Sequence, residues 1–155
     1  MPTPEKKRVL IASDHAGVEL KAELKKRLPN REWEDLGPPD TTRVDYPDFA
    51  RRLALQVASH PTTQGILICG SGIGMSIAAN KVHGIRAALV ENASAARLSR
   101  EHNDANVLCL GARFVAPEYA AEIVETWLNT PFSGDSRHQG RISKITAIEK
   151  GNHST

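Results

Sequence analysis

Several features that would point to other classes of protein are missing from this sequence. Its apolar runs are short, far below the roughly 20 residues that a membrane-spanning helix needs. The chain has two cysteines, Cys69 and Cys109, and their spacing is typical of neither a metal site nor a disulfide framework. Basic residues number 20 and acidic residues 18, and both are spread along the chain, which gives no field for nucleic acid. The polar N-terminus, residues 1–8, has no signal-peptide core. We therefore expect a reduced, cytoplasmic protein with no membrane or nucleic-acid partner.

What is present is an alternation of short β-branched apolar runs with longer amphipathic segments. This pattern predicts an α/β fold: a three-layer, Rossmann-like, doubly wound sheet of five parallel strands with helices on both faces. The 155 residues are the usual size of one domain, and we expect residues 1–7 to be flexible. The predicted strands are residues 8–13, 32–36, 65–69, 85–90 and 106–111. The predicted helices are 17–28, one from Pro47, one ending at Lys81, 94–102, one from Pro117, and a C-terminal helix over 142–150.

Polar side chains follow three of the predicted strands directly. Asp14 and His15 come after the first strand, a glycine-rich segment after the third, and Arg113 after the fifth. In an open parallel sheet, ligands bind beyond the carboxyl ends of the strands. The sequence therefore predicts a site built from these residues.

The glycine loop, which we define as Gly70 to Gly74, joins a buried strand to a helix. Its backbone amides can converge on an anion. It lacks the lysine of a P-loop and the third glycine of the dinucleotide fingerprint, so we expect no cofactor. Cys69 precedes the loop, where amide groups can favour a thiolate. A buried structural cysteine fits that position equally well, whereas Cys109, in the middle of an apolar run, is read as structural.

Other polar residues also have two interpretations each. Asp14 and His15 can serve a site or cap a helix. His102 ends a predicted helix, where a cationic side chain is favoured for electrostatic reasons alone. Arg137 and Arg141 form either a solvated basic face or a phosphate clamp. No His, Asp or Glu pair has the spacing of metal ligands, so we expect no metal. The residues alone indicate an enzyme acting on a small phosphorylated molecule.

The chain resembles the B-type ribose-5-phosphate isomerases and the wider sugar-phosphate isomerase family that includes the galactose-6-phosphate isomerase subunits. The resemblance runs from about residue 9 to residue 149. Its landmarks are Asp14-His15, Asp45-Tyr46-Pro47, Cys69-Gly-Ser-Gly-Ile-Gly74, Asn80-Lys81, His102-Asn103 and Arg137-His138-Gln-Gly-Arg141.

The resemblance implies a cofactor-free interconversion of ribose 5-phosphate and ribulose 5-phosphate in the non-oxidative pentose phosphate pathway. It implies a homodimer, or a homotetramer, whose active sites draw on both subunits. Family members use either a cysteine at the strand end or a glutamate later in the loop. This chain has Cys69 at the first position and Met75 at the second, which places it in the cysteine type.

By the same resemblance, Cys69 moves the proton between C2 and C1, His102 helps open the furanose ring, and Asp14 orients hydroxyl groups. The amides of Gly70, Gly72 and Gly74, with Ser71, stabilise the enediolate. The phosphate is held by His15, Arg113, Arg137 and Arg141, and the pocket is lined by Tyr46, Asn103 and His138. Two alternatives stay open: an isomerase of allose 6-phosphate or galactose 6-phosphate, and a non-catalytic sugar-phosphate-binding module.

Overall fold

A computed structural model describes residues 7–151, in which five parallel strands form one sheet. The strands are β1 (Arg8–Ser13), β2 (Glu32–Asp35), β3 (Gln64–Cys69), β4 (Ala87–Leu89) and β5 (Val107–Gly111). Their order across the sheet is β2-β1-β3-β5-β4. The chain runs outward from β1 to β2 and then returns to the other side of β1. The strand order therefore reverses between β1 and β3, where doubly wound sheets bind their ligands.

Helices cover both faces of the sheet, as predicted. A 3-10 turn, His15–Gly17, precedes α1 (Val18–Arg27), and the other helices are α2 (Tyr46–Ser59), α3 (Ile73–Ala79), α4 (Ala93–Asn103), α5 (Pro117–Asn129) and α6 (Ser136–Glu149). Buried side chains of α1, α4 and α5 form one apolar cluster with the sheet. Those of α2 and α3 form a second cluster on the opposite face. The predicted three-layer α/β architecture is confirmed.

The central strand β3 is buried along its whole length, because neighbouring strands and helices cover both its edges and both its faces. Successive side chains of a strand point to opposite faces. Ile66 and Ile68 accordingly pack with α1 and α5, whereas Leu67 and Cys69 face α2 and α3. This alternation fixes the side of the sheet on which the Cys69 thiol lies.

The predicted start of the last helix, residue 142, is wrong. Helix α6 begins at Ser136, so the basic segment that was predicted to lead into a helix is itself its first two turns. Asp135 caps this helix: its side chain accepts a hydrogen bond from the Arg137 N–H, and its carbonyl accepts one from the Gln139 N–H. The fourth strand is also shorter than predicted, since only Ala87–Leu89 pair with β5.

None of the helices between residues 7 and 151 combines the length and the apolar composition needed to cross a bilayer. The flexible segment predicted for residues 1–7 lies outside the described residues, except for Lys7.

Candidate active site

The carboxyl ends of β1, β3 and β5 are joined by backbone hydrogen bonds. The Asp14 N–H donates to the Ile68 carbonyl (3.0 Å). The Ala112 N–H donates to the Cys69 carbonyl (2.8 Å), and the Arg113 N–H to the Gly70 carbonyl (3.0 Å). The segments that follow the three strands therefore lie side by side, as predicted from the sequence.

Cys69 ends β3 with its sulfur turned toward the glycine loop. The residue is 4% exposed, and the Gly72 N–H donates to Sγ at 3.1 Å. A donor in this position stabilises negative charge on the sulfur. Cys109 is fully buried on the neighbouring strand. Burial, and then the nearby Cys69, raise the pKa of the Cys109 thiol far above its ordinary value, so it remains protonated.

The glycines of the loop allow two side chains to approach its backbone closely. A Cβ at Gly70 would stand 3.1 Å from the guanidinium carbon of Arg113, and one at Gly74 would stand 2.6 Å from the Tyr46 ring. Gly72 has φ +78°, in the left-handed region that favours glycine. The loop is thus flanked by a cation on one side and a phenol on the other.

The first strand contributes an acid and an imidazole to the same edge. Asp14 is buried, and its Oδ1 accepts from the Ala16 N–H (2.9 Å), so it does cap the short turn that follows. The Val44 N–H donates to His15 Nδ1 (3.3 Å). A neutral His15 therefore carries its proton on Nε2 and presents a donor there. Nothing in the sequence pattern indicated this contact with Val44.

The remaining predicted site residues form a second cluster around the end of α4. The rings of His102 and His138 have centroids 4.3 Å apart. Arg137 and Arg141 lie on the exposed side of α6 beside His138, which is itself buried. The Asn103 carbonyl accepts from the Arg86 side chain (2.9 Å), and Arg86 immediately precedes β4.

The two clusters lie at opposite ends of the parallel strands, the first at the carboxyl ends (the carboxyl edge of the sheet) and the second at the amino ends (the amino edge). Helix α4 returns from the carboxyl end of β4 to the amino end of β5, so His102 and Asn103 lie at the amino edge. A strand of five residues separates this edge from Cys69, about 15 Å at the usual rise per residue. One edge holds Cys69, Gly70, Ser71, Gly72, Gly74, Asp14, His15, Tyr46 and Arg113. The other holds His102, Asn103, Arg137, His138 and Arg141.

Within residues 7–151, no three His, Cys, Asp or Glu side chains converge in a way that would hold a metal ion. Sequence reasoning also missed Ser133, whose Oγ lies 2.9 Å from His138 Nδ1. It belongs to the Ser-Gly-Asp-Ser segment, whose polar residues are typical of a helix start.

Comparison with known proteins shows the family to which this chain belongs. The family model described as ribose/galactose isomerase matches residues 9–145. The chain belongs to the ribose/galactose isomerase family. It is 47% identical over 146 residues to ribose-5-phosphate isomerase B of Escherichia coli, covering 93% of this chain and 97% of that protein. The family resemblance drawn from the motifs is confirmed.

Solved structures of this family agree with the fold. The ribose-5-phosphate isomerase B of Clostridium thermocellum superposes with a TM-score of 0.89 at 49% identity, covering 93% of this chain and 98% of that one. The Mycoplasma genitalium enzyme, solved with bound ribulose-5-phosphate, superposes with a TM-score of 0.87 at 45% identity, covering 92% and 96%.

Proposed function

We propose that this protein is a cofactor-free isomerase, one sugar-phosphate isomerase domain that interconverts ribose 5-phosphate and ribulose 5-phosphate in the cytoplasm. The observation that carries the proposal is the Cys69 sulfur, buried at the switch point of the sheet and facing the amides of the glycine loop. The relatives from E. coli and M. genitalium bear the name of this activity, and the latter was solved with ribulose-5-phosphate.

In the proposed reaction the Cys69 thiolate removes the proton from C2 of the open-chain aldose. Negative charge then develops on the oxygen at C1. The hydroxyl proton at C2 passes to that oxygen and the proton on sulfur returns to C1, which gives the ketose. The amides of Gly70 and Gly74 and the Ser71 hydroxyl face the oxygen at C1 and stabilise the enediolate. The Gly72 N–H, which donates to the Cys69 sulfur in the resting protein, joins them once the sulfur carries the proton. One preorganised donor of this kind lowers the barrier by about 3–4 kcal/mol. Asp14 orients the substrate hydroxyls.

The phosphate group binds to the His15 ring and to three arginines, drawn from both clusters. His15 and Arg113 lie at the edge that holds Cys69, and Arg113 reaches across Gly70. Arg137 and Arg141 lie one turn apart on α6 and are exposed. One guanidinium group can donate two parallel N–H bonds to two oxygens of a phosphate. In this proposal the arginines of α6 come from a second copy of the chain.

A homodimer would unite the two clusters. Ile77 on α3 is 58% exposed and Ile148 on α6 is 60% exposed, so each helix presents an apolar side chain that a second copy could cover. Ile148 borders a cavity of about 560 Å³ whose wall includes Asn103. Helix α3 begins at Ile73, within the glycine loop that supplies the predicted oxyanion donors. Seating α3 of one copy against this cavity of another would therefore bring the Cys69 of the first copy to the His102 of the second.

Complementation between two inactive variants tests the shared site. We would co-express Cys69→Ala with His102→Asn and compare the mixture with each variant alone and with wild type. In a two-fold dimer with shared sites, one site of each mixed dimer is intact, so activity should recover to about a quarter of wild type. Activity no higher than in the separate variants would contradict shared sites.

The family description also covers galactose isomerases, so the substrate itself needs a direct assay. We would measure kcat/KM on ribose 5-phosphate, allose 6-phosphate and galactose 6-phosphate without added metal or cofactor. A clear preference for ribose 5-phosphate supports the proposal. Preference for a six-carbon sugar would keep the mechanism and change the substrate, and binding without turnover would identify a non-catalytic binding module.

A further inference from the structure

Ser133 makes three contacts where α4 and α6 meet. Its N–H donates to the Glu101 carbonyl (3.2 Å), one residue before His102. Its Oγ accepts from the Asp135 N–H (3.2 Å), at the cap of α6, and lies 2.9 Å from His138 Nδ1. One short residue thus connects the last turn of α4, the start of α6 and the ring that packs against His102.

The direction of the contact with His138 depends on the tautomer of the ring. A serine hydroxyl has one proton to donate and two lone pairs to accept with. The Asp135 N–H can only donate, so it occupies one lone pair of Oγ and leaves both the hydroxyl proton and the second lone pair for Nδ1. A neutral His138 that accepts at Nδ1 carries its own proton on Nε2, on the far side of the ring.

We propose that Ser133 is a positioning residue, which donates its hydroxyl to His138 Nδ1 and so fixes both the ring and its Nε2–H tautomer beside His102. His138 is buried whereas His102 is exposed, so His138 is the fixed surface against which His102 rests. A catalytic ring supported in this way loses less rotational freedom when it reaches its working position. The expected effect on catalysis rests on the function proposed above, whereas the hydrogen bond does not.

The test uses the ¹⁵N-labelled full-length protein with Ser133→Ala, Ser133→Thr and, as a matched control, Ser143→Ala. Ser143 lies within α6, ten residues after Ser133, and its hydroxyl donates to the Gln139 carbonyl of its own helix. In Ser133→Ala we expect the His138 Nδ1 resonance to move toward that of a nitrogen without a hydrogen bond. We also expect kcat on ribose 5-phosphate to fall about five- to tenfold, as for the loss of one hydrogen bond, with KM changed less than about twofold.

Ser133→Thr keeps a hydroxyl and should restore both readouts, and Ser143→Ala should change neither. An unmoved Nδ1 resonance in Ser133→Ala would overturn the hydrogen bond. A moved resonance with unchanged kcat would overturn the positioning role. A wild-type protein without isomerase activity would instead contradict the function proposed above, and the nitrogen spectra would still decide whether Ser133 holds the ring.

Discussion

Replacing Gly72 by alanine should destabilise the protein for two separate reasons. Its φ of +78° costs an L-residue about 1–2 kcal/mol. A Cβ would also stand 2.8 Å from the carbonyl carbon of Leu110, in the backbone of a fully buried strand that has no room to yield. Overpacking of this kind adds about 1–3 kcal/mol, so we expect a total loss of roughly 2–5 kcal/mol. For a chain of this length the midpoint of thermal unfolding should fall by about 4–20 °C.

The same substitution at two other glycines provides the controls. Gly140 lies inside α6, and a methyl group added there would meet no atom within 4 Å. Gly140→Ala should therefore raise the midpoint by a few degrees, since alanine favours helix by about 0.5–1 kcal/mol. At Gly74 the obstacle is the half-exposed Tyr46 ring, which can swing away, so Gly74→Ala should alter KM more than stability. Calorimetry at one protein concentration gives the melting midpoints of all three variants. A Gly72→Ala midpoint equal to that of wild type would refute the argument.

Three further predictions concern thiol reactivity, acid stability and assembly. An alkylating reagent should modify Cys69 in the native protein, whereas Cys109, whose pKa is raised by burial, should react only after unfolding. Peptide mass spectrometry distinguishes the two labelled cysteines. Labelling of Cys109 in the native protein would contradict its burial. Burial alone would raise the pKa of Asp35, but hydrogen bonds from two lysines of α1 outweigh it and the pKa is lowered. The contribution of Asp35 to stability is therefore present at neutral pH and lost as the pH falls below about 4. Asp35→Asn should lower the melting midpoint at pH 7 and should match the wild-type midpoint in acid. An equally lowered midpoint at both pH values would exclude the ion pairs as the cause of the change. If the proposed dimer forms through α3, Ile77→Asp should give a monomer in light scattering and little turnover in activity assays. Leu55→Asp, at an exposed position on α2, should leave the size of the wild-type assembly unchanged. A dimeric Ile77→Asp variant would rule out the proposed contact.

Much of the fold follows from local sequence pattern. The uninterrupted apolar run that ends at Cys69 predicts a strand buried on both faces, and β3 is that strand. Asp14, the glycine loop and Arg113 could be grouped in advance, because the carboxyl ends of parallel strands share one edge. No knowledge of tertiary contacts was needed for either prediction.

The features that were missed depend on tertiary contacts. Helix α6 contains Gly140 near its start and several basic residues, and these made its first turns resemble a loop. Two contacts were also missed, that of Val44 with His15 and that of Ser133 with His138. Neither contact recurs at a helical or strand period, so no periodicity in the sequence indicates it. The position of His102 at the opposite edge from Cys69 could have been predicted, because a helix between two parallel strands ends at the amino end of the second strand.

The strand order also determines when the region around Cys69 can form during synthesis. Strand β3 pairs on one side with β1, made much earlier, and on the other with β5, made much later. The carbonyls of Cys69 and Gly70 receive their hydrogen bonds from Ala112 and Arg113, after the end of β5. Until that part of the chain has left the ribosome, the thiol of the nascent protein has no finished pocket to shield it. We therefore expect newly made chains to be more vulnerable to oxidants than the folded protein.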